Sequence, residues 1–543
     1  MSALPPVMVF TDAPEALTAR LTWTLQTMLA PLGRRPVLTR DPAAAGASAL
    51  AYASAPVPGV PTIPWTAEAA ELLLQRRPLP RGSFAPHPAG PALRIPAAGA
   101  PADAAPAGGS IAGDALPGAF AADGVAGFAV PFDLVASAFV LLACWDELTC
   151  AERDQYGRLP YNASVFAGEP ALHIEEPVVD AYGGLLRSRL EPRLTAVGEQ
   201  PLPAPGWLWR DGGSSDGGAS DDAKGGAAAG GYAVALTHDL DNLWRWTPRG
   251  FAASGYRGAR AARRRDGVAL RRELGDLREW LAVHLPRRSD PFWTFPQLLG
   301  GEDLRGVSST FYVIASHAHP TDGNQPETYR KRVPEALAML RDGRREVGLH
   351  GNDRDRLGVE PLEADRGDLA ARAGAQVDGI RYHYLRCLYH ETLPLLEKAG
   401  FAYDTSLAFA EHEGFRCGTA LPFRPFDVAR DRPLSLVELP LAVMDNTLQN
   451  PKYRALPAAA GERASRDLLE RVAAVGGGVS ILWHNNRFDR RTAEGYDDVY
   501  FALVDQARAD GAFVGRADAV VRRFVERTGG QAPGEETPGE DAP

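Results

Sequence analysis

Short apolar runs ending in a polar residue recur through the second half of the chain, most of them preceded by a helical stretch and a glycine. Residues 233–236 (Ala-Val-Ala-Leu) run straight into Thr237-His238-Asp239-Leu240-Asp241. Residues 309–314 lead to Ser316 and His317. Residues 326–341 have helical spacing, Gly343 stops them, and 346–349 run into His350. Residues 393–399, Gly400 and 401–403 deliver Asp404 in the same way; 468–475, Gly476 to Gly478 and 479–483 deliver His484. Brief apolar runs bounded by turn residues predict buried strands, and a glycine just past a helix is its usual stop. Repeated strand–helix steps of this kind predict a parallel α/β barrel, whose polar groups collect at the C-terminal ends of the strands.

The first half is patterned differently. Strands are expected at 7–10, 35–38 and 49–53, with a helix over 14–32, which together form a smaller α/β domain spanning 1–200. Residues 84–126 are dominated by Ala, Pro and Gly and predict loop. An apolar helix is expected over 132–144, ahead of Asp146 and Glu147, and a second over 178–190. Asp146, Glu147 and Arg158 are read here as structural ion pairs. Residues 201–231, rich in Pro, then Gly, Ser and Asp, are read as a flexible linker. The barrel is assigned 232–527, with an Arg-rich insertion at 244–290 that includes Arg263, Arg264 and Arg265. That insertion predicts a solvated helical segment or a site for an anionic partner. The acidic, Pro/Gly-rich 528–543 predicts a disordered tail.

Composition narrows the class further. The chain has 543 residues, 45% hydrophobic and 23% charged, as a soluble globular protein does. A formal charge of −10 argues against general nucleic-acid or anionic-membrane binding. No signal peptide is evident near Met1, and no run of about 18 apolar residues is present, so a cytoplasmic location without membrane insertion is expected. Cys144, Cys150, Cys387 and Cys417 form no CxxC pair, which fits a reducing compartment rather than a zinc knuckle.

Asp239 and Asp241 stand two apart at a strand end. One carboxylate can hold a metal while the other takes a proton from water; the competing reading is a helix cap opening at Asn242. Several separate strand ends carrying Asp or His favour a site over a cap.

These residues, in this order, resemble the polysaccharide deacetylase family, also called NodB-homology or carbohydrate esterase family 4. Thr237-His238-Asp239-Leu240-Asp241 resembles its first motif, and Ser309-Thr310-Phe311-Tyr312-Val313 the strand after it. Gly348-Leu349-His350 resembles the start of the second motif, Arg381-Tyr382-His383-Tyr384 the third, and Ile481-Leu482-Trp483-His484 the last. The chain is more similar still to a bacterial subgroup with an added N-terminal domain, which residues 1–200 resemble, including Asp146-Glu147 and Tyr156-Gly157-Arg158.

The resemblance implies a distorted (β/α) barrel of about seven strands and metal-dependent removal of N- or O-acetyl groups from an acetylated carbohydrate. It implies Asp239 as general base held by Arg381, Asp241 and His350 as metal ligands, and the backbone N–H near Tyr384 as oxyanion donor. His484 becomes the general acid, tuned by Asp404 or Asp445. One divalent metal is expected, Zn²⁺ ahead of Co²⁺, Ni²⁺ or Mn²⁺. One position departs from the family. Its second metal-binding His lies four residues after the first, where this chain has Arg354, which cannot ligate a cation. His383 stands where the family has proline and can offer the missing nitrogen. The alternatives are a sugar-binding or scaffolding protein that has lost a ligand, and a cyclic-amide hydrolase on the same fold.

Overall fold

A computed structural model of the protein describes residues 4–79, 83–86, 91–93, 132–168, 171–210, 231–246, 248–283, 290–315, 326–489 and 494–529. Ser316 and His317, most of the 84–126 loop, residues 211–230 of the expected linker and 530–543 of the expected tail lie outside the described residues.

Near the N-terminus, β1 (Pro6–Thr11), β2 (Arg35–Thr39), β3 (Leu50–Ala53) and β4 (Thr62–Pro64) form a parallel sheet in the order β2-β1-β3-β4. Helix α1 (Thr18–Leu29) is shorter than the expected 14–32 because single 3₁₀ turns, Glu15–Leu17 and Ala30–Leu32, flank it. Helix α2 (Leu134–Leu142) is buried at every position, and its N-terminus is capped by Asp133, which accepts from Ala136 N at 2.9 Å. Helix α3 (Val178–Ala196) closes this layer.

The main sheet is entirely parallel. Its strands are β5 (Ala233–Asp239), β6 (Thr310–Val313), β7 (Glu346–Gly351), β8 (Gly379–Tyr382), β9 (Tyr403–Asp404), β10 (Val437–Glu438), β11 (Leu441–Met444), β12 (Gly478–Leu482) and β13 (Phe513–Gly515). They run in the order β10-β9-β8-β7-β6-β5-β12-β11, with β13 paired to the start of β5. Every residue of β5 is buried, as expected of a parallel strand covered on both faces, where apolar runs replace alternation. Edge strands β10 and β11 are separated by only Leu439 and Pro440. Leu439 N donates to Asp404 O at 2.9 Å and Ser480 N donates to Pro440 O at 2.8 Å. The single run 437–444 therefore serves both edges and curls the sheet into a half-barrel. The glycine stops act as expected: Gly476, at φ +69°, ends the helix Ala458–Val475, and a Cβ there would lie 2.5 Å from Gly206 N.

One continuous apolar core runs from the N-terminal sheet into the barrel. Polar contacts bridge them as well: Trp23 Nε1 donates to Arg424 O at 2.8 Å, Ala420 N donates to Asp180 at 2.6 Å, and Arg416 pairs with the buried Glu147. The first part of the expected linker is packed rather than free. Leu202, Leu208 and Trp209 are buried, and Trp209 Nε1 donates to Gly476 O at 2.9 Å. Among the described residues, no helix is long and apolar enough to cross a membrane.

Candidate active site

Five side chains converge at the C-terminal end of the barrel strands: Asp239 and Asp241 from the end of β5, His350 from β7, His383 just after β8, and His484 just after β12. They line a cavity of about 70 Å³ together with Arg158, Tyr384, Leu385, Met444 and Tyr453. Strand alternation decides which members of the first motif enter it. Asp239 points inward. His238 points the other way, into a buried network where its ring nitrogens meet Trp483 O at 2.7 Å and Glu302 at 3.1 Å. It is a core histidine.

Asp241 is the hub. Its carboxylate lies 3.0 Å from His350 Nε2, 3.7 Å from His383 Nε2 and 3.4 Å from His484 Nε2. Burial pushes the Asp241 pKa up, but the His383 and His484 charges and the His350 hydrogen bond outweigh this and hold it well below the usual carboxylate range. Asp241, His350 and His383 present donor atoms all within 4.8 Å of one another, and a second group joins Asp239, Asp241 and His484. The first set fits a divalent ion by its chemistry. His350 Nδ1 meets Arg381 O at 2.8 Å; a carbonyl can only accept, so Nδ1 carries a hydrogen and Nε2, on the cavity side, is the nitrogen that could ligate an ion. One carboxylate and two imidazoles are a usual three-residue set that leaves room for substrate. Arg354 lies aside, on Asp365 at 3.4 Å.

Asp239 has its own set of partners. Arg381 is fully buried and donates to Asp239 at 3.1 Å, Thr237 Oγ1 at 2.8 Å and Thr405 O at 3.0 Å, with its guanidinium over the Tyr312 ring. Asp239 Oδ2 is 3.8 Å from His350 Nε2. Asp445, at the end of β11, meets His484 Nδ1 at 2.6 Å and also lies 3.3 Å from Arg487. Burial lowers the His484 pKa, but the Asp445 and Asp241 carboxylates raise it well above the usual imidazole value. Burial raises Asp445, and the His484 charge brings it below its ordinary value.

Asp404 is not beside His484. Its carboxylate accepts from Ser406 N at 2.8 Å and Ser406 Oγ at 2.7 Å, and burial raises its pKa. The same burial, together with neighbouring Asp404, pushes Glu438 well up, so this pair is a buried structural unit. Of the two candidates for tuning His484, geometry selects Asp445. The two-residue β9 ends just as Asp404 is reached, and the side chain turns back to cap the following turn.

The first half of the chain supplies a wall that the sequence reading missed. Arg158, held by Asp154 at 2.6 Å, donates from Nη1 to Tyr384 O at 2.7 Å. Tyr156 stacks on Tyr384 at 4.7 Å, and Tyr384 stacks in turn on His383 at 3.8 Å. Tyr384 and Leu385 both have positive φ, 59° and 55°. The Arg158 contact fixes the peptide that joins them. The Tyr-Gly-Arg run was visible as a resemblance, but nothing local in it points to a barrel loop 226 positions away.

Comparison with known proteins gives a match over residues 102–195 to a family of unknown function, DUF7033. No curated protein matches the sequence. Among solved structures, the chain is similar to a Mycobacterium smegmatis protein described as a polysaccharide deacetylase, at 20% identity over 56% of this chain and 94% of that one, with a TM-score of 0.36. A Pseudomonas aeruginosa protein described in the same terms gives 13% identity, 55% and 93% coverage, and a TM-score of 0.37. A CE4 family pseudoenzyme of Bacillus anthracis gives 11% identity, 53% and 65% coverage, and a TM-score of 0.28.

Proposed function

We propose that the protein is a metal-dependent hydrolase that removes acetyl groups from an acetylated carbohydrate. One observation carries the reading: a carboxylate paired with a buried arginine and an imidazole paired with a buried aspartate both stand beside one Asp-His-His cluster. A binding protein needs a cluster or a cleft. It has no need of a positioned carboxylate and a positioned imidazole beside it.

Asp241, His350 and His383 would hold the ion, whose chemistry when bound is Lewis-acid polarisation of the acetyl carbonyl and of the attacking water. Asp239, positioned by Arg381, takes a proton from that water as it attacks the carbonyl carbon. The backbone N–H groups of the Tyr384–Leu385 turn donate to the developing oxyanion, on a peptide steadied by Arg158. His484, kept protonated by Asp445, gives its proton to the departing sugar nitrogen or oxygen as the bond to the acyl carbon breaks. The products are acetate and the free amine or alcohol. Leu385, Ala410 and Met444 offer an apolar wall that suits the acetyl methyl group.

The test is acetate release from N- and O-acetylated oligosaccharides by the metal-loaded protein. Asp239→Asn and His484→Ala should each lower kcat by roughly 10² to 10⁴, the usual worth of a positioned acid or base. Wild-type rates in both variants would remove these roles. Metal binding with no turnover on any acetylated glycan would favour the sugar-binding alternative.

A further inference from the structure

The Arg-rich insertion forms two helices, Pro248–Arg263 and Gly267–Val283, that lie against each other: Phe251 packs on Trp280 at 4.5 Å, and Arg257 pairs with Glu273 at 2.8 Å. Between residues 251 and 283 it carries eight arginines and four acids, in a chain whose formal charge is −10. Two of those acids are already engaged, Glu273 by Arg257 and Asp276 by Arg245. Leu274, Leu277 and Leu281 recur at helical spacing along one face of the second helix and are 51%, 38% and 55% exposed. Leu274 and Leu277, with Trp246, Phe251 and Leu270, border an apolar groove of about 360 Å³ between the helices. At 100° per residue, Arg271 and Arg278 fall on one border of the leucine stripe, and Tyr256 and Arg263 on one border of the groove-facing side of the first helix.

Apolar side chains left in water and rimmed by guanidinium groups are the composition of a helix that lies in a lipid headgroup layer. The geometry points to this hairpin as a docking surface for a membrane rich in acidic phospholipid. Charge complementarity selects that occupant. A second copy would bring two cationic hairpins together, and a nucleic acid would leave the leucines without a partner. The position is also suitable. Asp290 anchors the hairpin's base by accepting from Arg245 N at 2.8 Å and Trp246 N at 2.9 Å. Asn485, next to His484, donates to Asn242 O at 3.0 Å and Phe292 O at 2.8 Å. Docking would therefore bring the cleft end of the barrel to the lipid surface. The inference is independent of the reaction proposed above, because it rests on the hairpin alone.

The experiment is co-sedimentation of the full chain with vesicles of phosphatidylcholine alone or mixed with phosphatidylglycerol, at low and high salt. Binding is expected only to the mixed vesicles, and salt should weaken it. Changing Arg263, Arg264 and Arg265 together to Gln should weaken it roughly 100-fold, at about a factor of five for each surface arginine. Leu274→Asn with Leu281→Asn should weaken it at both salt concentrations, since that contribution is apolar. Unchanged thermal unfolding would show that the variants fold. No binding to the mixed vesicles, equal binding to both kinds, or salt-independent binding unaffected by either variant would overturn the inference. So would a dimer in solution that Leu277→Glu converts to a monomer, or tighter binding to single-stranded nucleic acid than to the mixed vesicles.

Discussion

Replacing Arg381 by Met tests how the base is held. The guanidinium is fully buried, and Asp239 has only 3% of its surface exposed. Opposite charges 3.1 Å apart attract by about 5 kcal/mol at an effective dielectric near 20. The variant loses that attraction and leaves a buried carboxylate with the hydrogen bonds of Thr237, Thr405 and Ser480 rearranged around it. A buried pair broken from one side costs about 3 to 5 kcal/mol, mainly through the charge left behind. Asp239→Asn strands the guanidinium in the same way, although Thr237, Thr405 and Ser480 still accept from it. Removing both charges at once strands neither, so the two single losses should exceed the double loss by about 2 kcal/mol. The assay is urea unfolding followed by tryptophan fluorescence in the presence of a chelator, so that no cation neutralises Asp239. Additive single losses would refute the claim that Arg381 holds this carboxylate.

Three further outcomes are expected. Asp445→Asn should move the alkaline limb of the kcat–pH profile downward: the Asp445 carboxylate raises the His484 pKa, and an acid whose pKa falls is lost at lower pH; an unmoved limb would free His484 from Asp445. Arg158→Met should lower kcat by about 10-fold or more while leaving metal affinity unchanged, because it releases the Tyr384 carbonyl without touching a ligand; an equal loss of metal would make Arg158 merely structural. Burial raises the Asp133 pKa from 3.8 to about 7, so the folded state holds a proton there that the unfolded chain releases, and stability falls as pH rises through that window. Asp133→Asn keeps the helix cap and should gain stability relative to wild type between pH 4 and 8, by up to about 4 kcal/mol, as seen by denaturant unfolding at both pH values; a constant difference would contradict this.

What the sequence revealed was local. The strand ends at Asp239, His350 and His484 were legible because apolar runs, glycine stops and a following polar residue are all encoded within a few positions. Asp404 has the same local pattern and a different fate, since its strand is two residues long and Ser406 takes its carboxylate. Nothing in the pattern separates it from His484. The curling of the sheet by residues 437–444 was not legible either, because one short run serves two sheet edges. Arg158 was legible only as a structural ion pair and becomes part of the cavity through packing against the barrel, with Tyr156 stacked on Tyr384 beside it. The hairpin was legible as basic, but its exposed leucine stripe needed the packing of the two helices to be seen.

The central claim is that His383 replaces the histidine whose expected position holds Arg354, and so completes a metal centre with Asp241 and His350. Calorimetric zinc titration of the whole chain and of His383→Ala tests it most directly. The account predicts one equivalent in the wild type and an affinity at least about 100-fold weaker in the variant, a loss no smaller than that for disturbing a ligand's supporting shell. It also predicts that Arg354→Ala titrates as wild type. Undiminished zinc affinity in His383→Ala, or no zinc bound by the wild type, would contradict it.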